Sequence, residues 1–140
     1  MRGVFLTIKA FTVTAVAILC VFFVYVLSKA SLFPRGVSHE FYKGTSSEEI
    51  VLSDSPYEKL FLSGVRGEGV HYTGDRAEEI ISRFNAEVLF TEEVAGVVNY
   101  YCYSPFLKTA VILGDKTVNL HIATNGERTA AGTPIIFGGT

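Results

Sequence analysis

The stretch Asp75-Arg76-Ala77-Glu78-Glu79-Ile80-Ile81-Ser82-Arg83-Phe84-Asn85, followed by Ala86-Glu87-Val88-Leu89-Phe90, decides the fold class. Asp75 is a residue type that caps helices, Glu78 stands three positions on, and Ala77, Ile80, Ile81 and Phe84 form an apolar stripe at helical spacing. The pattern predicts a helix of about three turns with one buried face. Asn85 suits the left-handed conformation that ends a helix, and the residues after it turn rich in β-formers. A single amphipathic helix running straight into strands points to an α+β domain.

Towards the C-terminus, glycines and an Asn-Gly pair punctuate expected strands at Glu87 to Glu92, Val97 to Ser104, Ala110 to Leu113, Thr117 to Thr124 and Arg128 to Phe137. Gly114-Asp115-Lys116 and Asn125-Gly126-Glu127 sit where hairpin turns belong. Connections this short join antiparallel neighbours, so the expected product is an antiparallel meander sheet with one main helix packed on one face. For the last strand a seat between neighbours is expected. An edge seat is the alternative, and it would leave backbone groups open to strand addition beside Ile135-Ile136-Phe137. Before the helix two readings compete. Ser55-Pro56-Tyr57-Glu58 is a capping box with proline at the first helical position, whereas Leu60 to Val65 and Gly69 to Tyr72 read as two short strands, the favoured reading.

The N-terminal thirty residues have a different character. No charged residue occurs from Ala10 to Leu27, 18 positions, and all 14 Asp and Glu follow residue 30. At about 1.5 Å per residue the run is about 27 Å long, close to the hydrocarbon thickness of a bilayer. No polar stripe interrupts it, which argues against a core helix of a soluble protein. Arg2 and Lys9 precede it, so it reads as a signal anchor or as a cleavable signal peptide, with Ser28-Lys29-Ala30 before Ser31 as the cleavage sequence. The length favours the anchor. A lipoprotein is disfavoured, because the bulky Leu19 precedes Cys20. The expected organisation is an anchor or signal over 1–30, a tether over 31–54 and one α+β domain over 55–140. The short leading tail places the N-terminus in the cytoplasm and the body outside, giving a single-pass protein of the cell membrane.

Tyr103-Ser104-Pro105-Phe106-Leu107, Val118-Asn119-Leu120-His121-Ile122-Ala123 and Gly132-Thr133-Pro134-Ile135-Ile136, in this order and spacing, resemble the C-terminal part of the YwmB-like family of Gram-positive bacteria. The likeness covers about residues 100 to 137 and, more weakly, 59 to 99. It implies an exported protein with a TATA-box-binding-protein-like α+β fold. The chain departs from the family in its shorter hairpin before the Gly-Thr-Pro strand and in ending Gly138-Gly139-Thr140, and the resemblance implies no activity for any residue.

Charge excludes nucleic acid as a partner. After residue 30 there are nine Lys and Arg against 14 acids, a formal net charge of −5, with no basic run to exchange counterions with phosphates. Cys102 with His71 or His121 supplies the residue types of a nucleophile and base, but Cys102 shares its strand face with Val98 and Tyr100 and reads as a core thiol. A secreted hydrolase or thiol enzyme using Cys102 and His121 is the alternative function, and a soluble ligand binder released after Ala30 is another. Neither Cys-x-x-Cys nor His-x-x-x-His occurs, no phosphate-cradling glycine motif is present, and no catalytic residue, cofactor or metal is expected. Alternation in the strand over 117–124 sends Val118, Leu120 and Ile122 to the core and Asn119 and His121 to the other side. With Tyr101 and Tyr103 these form the candidate interaction surface: two tyrosines, an amide and an imidazole, types common at recognition surfaces. The reading is a membrane-anchored extracytoplasmic interaction or accessory domain of the bacterial envelope, its partners the membrane and an envelope protein.

Overall fold

The computed structural model describes residues 1–44 and 50–137, divided into a unit Met1–Ala30 and a second unit that begins at Ser31. The first unit is one helix, α1 (Arg2–Lys29), of 28 residues with a mean hydropathy of 2.6 over its most apolar window. It is long and apolar enough to span a membrane or to serve as a signal sequence. Its serine and threonine hydroxyl groups are satisfied internally: Thr7, Thr12, Thr14 and Ser28 donate to the carbonyls of Gly3, Ile8, Ala10 and Tyr25 at 2.7–2.9 Å. Internal satisfaction is what a helix in hydrocarbon requires. At its end the Lys29 ammonium lies 5.5 Å from the centre of the Tyr25 ring.

The second unit is an α+β fold. Its strands are β1 (Ser38–Tyr42), β2 (Ile50–Ser53), β3 (Gly67–Thr73), β4 (Glu87–Val94), β5 (Val97–Tyr103), β6 (Val111–Leu113), β7 (Lys116–Val118), β8 (Leu120–Thr124) and β9 (Arg128–Thr133), with helix α2 (Ala77–Arg83) between β3 and β4. Seven strands form one antiparallel sheet in the order β2-β1-β3-β9-β8-β5-β4, while β6 and β7 pair as a separate ribbon. The expected meander holds after α2, where β4, β5, β8 and β9 lie side by side in chain order with β6 and β7 set apart, whereas before α2 the order is β2-β1-β3, with β1 between its two successors. The pairing of β3 with β9 that joins the halves links residues far apart in sequence, and turn signals do not reveal such pairings. The last strand sits between β3 and β8, so the edge alternative is overturned.

The tether expected over 31–54 is also overturned. Phe33 is fully buried, its ring 5.3 Å from that of Phe84, and β1 and β2 extend the sheet. Burying an aromatic side chain outweighs the polar look of the segment, whose His39 and Glu40 are themselves buried. The cluster Thr45 to Glu49, part of the same expectation, lies outside the described residues.

Ahead of α2 the outcome is mixed. Pro56–Phe61 forms a 3₁₀ turn capped by Ser55, whose hydroxyl accepts from the Tyr57 amide, so no strand occupies 60–65. Gly69 to Tyr72 lies inside β3, as expected. Helix α2 begins at Ala77, whose amide donates to Asp75 Oδ1 at 3.0 Å, and Asn85 ends it at φ 44°. Ala77, Ile80 and Phe84 then bury against Val70, Cys102, Leu120, Ile122 and Ala131 of the sheet, with Phe33 and Leu107 closing the core.

The expected strand over 117–124 breaks at Asn119, a fully buried amide. Its Oδ1 accepts from the Ser104 amide at 2.7 Å, and its Nδ2 donates to the carbonyls of Ser104 and Leu107 at 2.7 and 3.0 Å. One side chain thus satisfies three backbone groups where β5 leaves the sheet. Asn119→Ala leaves all three without their partner and is expected to destabilise by about 3 kcal/mol, given about 1–3 kcal/mol for each buried group left unpaired. Urea unfolding of the full chain in neutral detergent checks this, with Tyr103→Ala, at a site 42% exposed, costing less than about 1 kcal/mol.

Candidate functional site

Strand alternation divides the sheet into a face covered by α2 and an opposite face. Cross-strand pairs set the opposite face: Tyr101 stands beside His121, Asn99 beside Ala123, and His121 beside Gly132. Tyr101 is sandwiched between Phe90 and His121, each ring centre 4.5 Å away and the planes within 15° and 9° of parallel. Its hydroxyl lies 3.5 Å from Glu92 Oε2, and burial and that carboxylate raise its pKa. Tyr103 is exposed one alternation further along β5.

The four residues of the expected surface therefore divide. Tyr101 and His121 come together and Tyr103 shares their strand face, but His121 is buried behind Tyr101 and beneath the Ile136 segment, and Asn119 does not belong: it is wholly enclosed by its bonds to Ser104 and Leu107. The correction has a local cause. The alternation from Val118 to Ile122 is interrupted at Asn119, which bridges two segments of backbone.

His121 is fixed at both ring nitrogens. The Ile136 amide donates to Nδ1 at 3.3 Å, so the ring proton sits on Nε2, which donates to Asn99 Oδ1 at 3.0 Å. The segment that carries Ile136 crosses the sheet over Gly132. A Cβ on Gly132 would stand 2.8 Å from the Ile135 carbonyl oxygen, so glycine makes room for the crossing. The same segment reaches Tyr42, where the Phe137 amide donates to the hydroxyl at 3.4 Å and the two rings meet edge to face at 4.9 Å.

Tyr42 leads to a cluster that the sequence reading missed. Its hydroxyl donates to Glu40 Oε2 at 3.0 Å, and His71 Nε2 lies 3.2 Å from Glu40 Oε1. The hydrogen bond from His71, aided by that from Tyr42, holds the Glu40 carboxyl below its ordinary range despite burial. Two shallow clefts of about 420 and 200 Å³ meet at His71 and Arg128. Ser38 pairs with His71 across the strands, yet no hydrogen bond joins its hydroxyl to the imidazole among the described residues. The arrangement orients an imidazole by a carboxylate beside a guanidinium. The available signal was the doublet Phe41-Tyr42 after alternating Ser38 and Glu40.

Cys102 is brought to neither histidine. It pairs with Leu120 on the helix-covered face, fully buried, and burial pushes its thiol up to about 11. His121 projects from the other face, as does His71, which follows the core residue Val70. Among the described residues, no group of three or more His, Cys, Asp or Glu side chains is placed to hold a metal ion.

Two outcomes follow from these environments. A polar thiol reagent applied to the native chain should modify Cys102 at least about 100-fold more slowly than after unfolding, because both burial and a thiol near 11 suppress the thiolate; comparable rates would refute the burial argument. Burial also lowers the pKa of His121 to about 4 from 6.5, so the unfolded chain takes the proton more readily than the folded one. Its contribution to stability is intact above pH 6.5 and is lost as pH falls towards 4. The loss is on the order of 3 kcal/mol. His121→Phe should flatten this acid limb in urea unfolding followed from pH 7 to 4, leaving what is due to the buried His39, whose pKa is also lowered, and to Glu40, whose carboxyl is held down.

No family model, curated protein or solved structure matches the chain.

Proposed function

We propose that the protein is an extracytoplasmic interaction or accessory domain of the bacterial cell envelope, with α1 as a single-pass anchor and the N-terminus in the cytoplasm. It works by binding an envelope protein and performs no catalysis. The observation that carries this reading is the face built by Phe90, Tyr101 and His121. The half-buried Phe90 and Tyr101, held in place by the buried His121 stacked behind them, and the exposed Tyr103 on the same strand offer rigid contact area at little entropic cost, which suits recognition. The 28-residue apolar helix supports anchoring, and the resemblance of segments between 100 and 137 to the YwmB-like family supports the envelope setting. A net charge of −5 after residue 30 weighs against nucleic acid. The thiol-enzyme alternative is disfavoured by Cys102 and His121 lying on opposite faces.

In a Gram-positive host, the full-length chain should fractionate with membranes, resist carbonate extraction and be digested by protease added outside intact cells. A mature form beginning at Ser31 in the medium would replace the anchor by a cleaved signal and make the domain a secreted one. A photo-crosslinking residue at position 103 should give a discrete adduct with one envelope protein, and one at the exposed Ile112 of the separate ribbon should not. Equal labelling at both positions, or none at 103, would overturn the assignment of the surface.

A further inference from the structure

Arg76, Glu79, Ile80 and Arg83 are spaced three, four and seven apart, so they share one face of the segment that forms α2. Ile80 is buried against the sheet and sets the orientation of that face. Arg76, Glu79 and Arg83 line a cleft of about 460 Å³, with Tyr72 of β3 and Arg35 of the segment before β1 completing the wall. Three of the five arginines after residue 30 thus converge on one cleft, in a stretch of chain whose net charge is −5.

The local charge runs against the sign of the whole. The one acid in the wall is Glu79, whose Oε2 lies 2.9 Å from Arg76 Nη1 in an exposed pair that binds weakly. Among the described residues, neither Arg35 nor Arg83 has an ion-pair partner. The Arg83 guanidinium lies 5.7 Å from the centre of the Phe84 ring, and stacking of this kind leaves its N–H edge free for an acceptor. Tyr72 is half-buried in the wall, and its hydroxyl makes no hydrogen bond among the described residues.

We propose that this cleft binds a phosphate group, with Arg35, Arg76 and Arg83 as its cationic donors and the Tyr72 hydroxyl as a neutral one. Guanidinium groups match phosphate oxygens in pairs, and three of them offset by one carboxylate leave about two positive charges for a mono- or dianion. The cleft is larger than a phosphate ion needs and has room for the organic part of an ester. Arg35 follows α1 by six residues in sequence, and two sources share this chemistry: the headgroup of an anionic phospholipid and a small soluble phosphate.

Phosphorus NMR titration of the full chain, in neutral phosphate-free micelles at low salt, tests this with inorganic phosphate, glycerol 3-phosphate and dihexanoyl phosphatidylglycerol. Binding of the two soluble phosphates identifies a soluble ligand, and binding of the phosphatidylglycerol alone identifies a headgroup. In either case Arg83→Gln should weaken binding by about tenfold or more, the loss of one charged hydrogen-bonding group. Glu79→Gln should tighten it about threefold or more by releasing Arg76 and removing the opposing charge, a gain that a merely structural role for Glu79 would not produce. Arg128→Gln, outside the cleft, should change nothing. The proposal fails if none of the three ligands binds below about 10 mM. It fails equally if Glu79→Gln leaves the affinity of the bound ligand unchanged, and that variant decides the matter should Arg83→Gln not fold.

Discussion

The sheet depends on the double pairing of β9. On one side it meets β3, which carries the strands formed before α2, and on the other β8, which carries those formed after it. The small residues Ala130, Ala131 and Gly132 make this seat workable. Ala131 lies in the core that α2 covers, while Gly132 passes beneath the backbone of Ile135 and Ile136. Thr129 ties the helix to the same strand: its hydroxyl accepts from the Arg76 amide at 2.9 Å and donates to the Gly74 carbonyl at 2.7 Å. Sheet, helix entry and the crossing segment are therefore referenced to one six-residue strand.

Buried polar groups secure what the sheet leaves open. Glu68 is almost fully enclosed on the helix-covered face, where burial pushes its carboxyl up. The Lys59 ammonium at 3.1 Å and the Leu32 amide oppose that shift, and in doing so they fasten the 3₁₀ turn and the segment before β1 to β3. A pair of this kind adds little stability over an apolar replacement of the same shape, but it specifies which segments meet. Asn119 and Glu40 act likewise, each engaging partners from more than one segment.

Much of this was legible locally. The amphipathic stripe from Ala77 to Phe84 gave α2 and its buried face, and Asn125-Gly126 marked the turn between β8 and β9, because helix period and turn chemistry are written within a few residues. The tight turn at Ala95-Gly96, with φ of 52° and 79°, was less conspicuous since alanine rarely adopts that conformation. What was not legible rests on distant partners. Ser38 to Tyr42 reads as polar linker until Glu40 is seen to meet His71 and Tyr42, and Asn119 reads as a surface amide until Ser104 and Leu107 close around it. Of the candidate surface, alternation gives the strand face of Tyr101 and His121, but it does not show that the Ile135–Ile136 segment crosses over that face and buries His121, and it fails at Asn119, where a side chain bonds backbone and interrupts the strand.

The central seat of β9 also orders events in time. Thr73 of β3 pairs with Arg128, and Glu68 with Thr133, so this ladder closes loops of more than fifty residues. During synthesis the strands before α2 must wait until residues 128–133 appear before their inner edge is covered, whereas β4 and β5 pair at once through a short turn. The half made of β1, β2 and β3 meanwhile presents an unpaired edge, and its glycines at 67 and 69 weaken that edge as a template for other chains. A nascent chain of this design therefore keeps the inner edge of β3 open until residues 128–133 have been made, and its first three strands gain a partner only then.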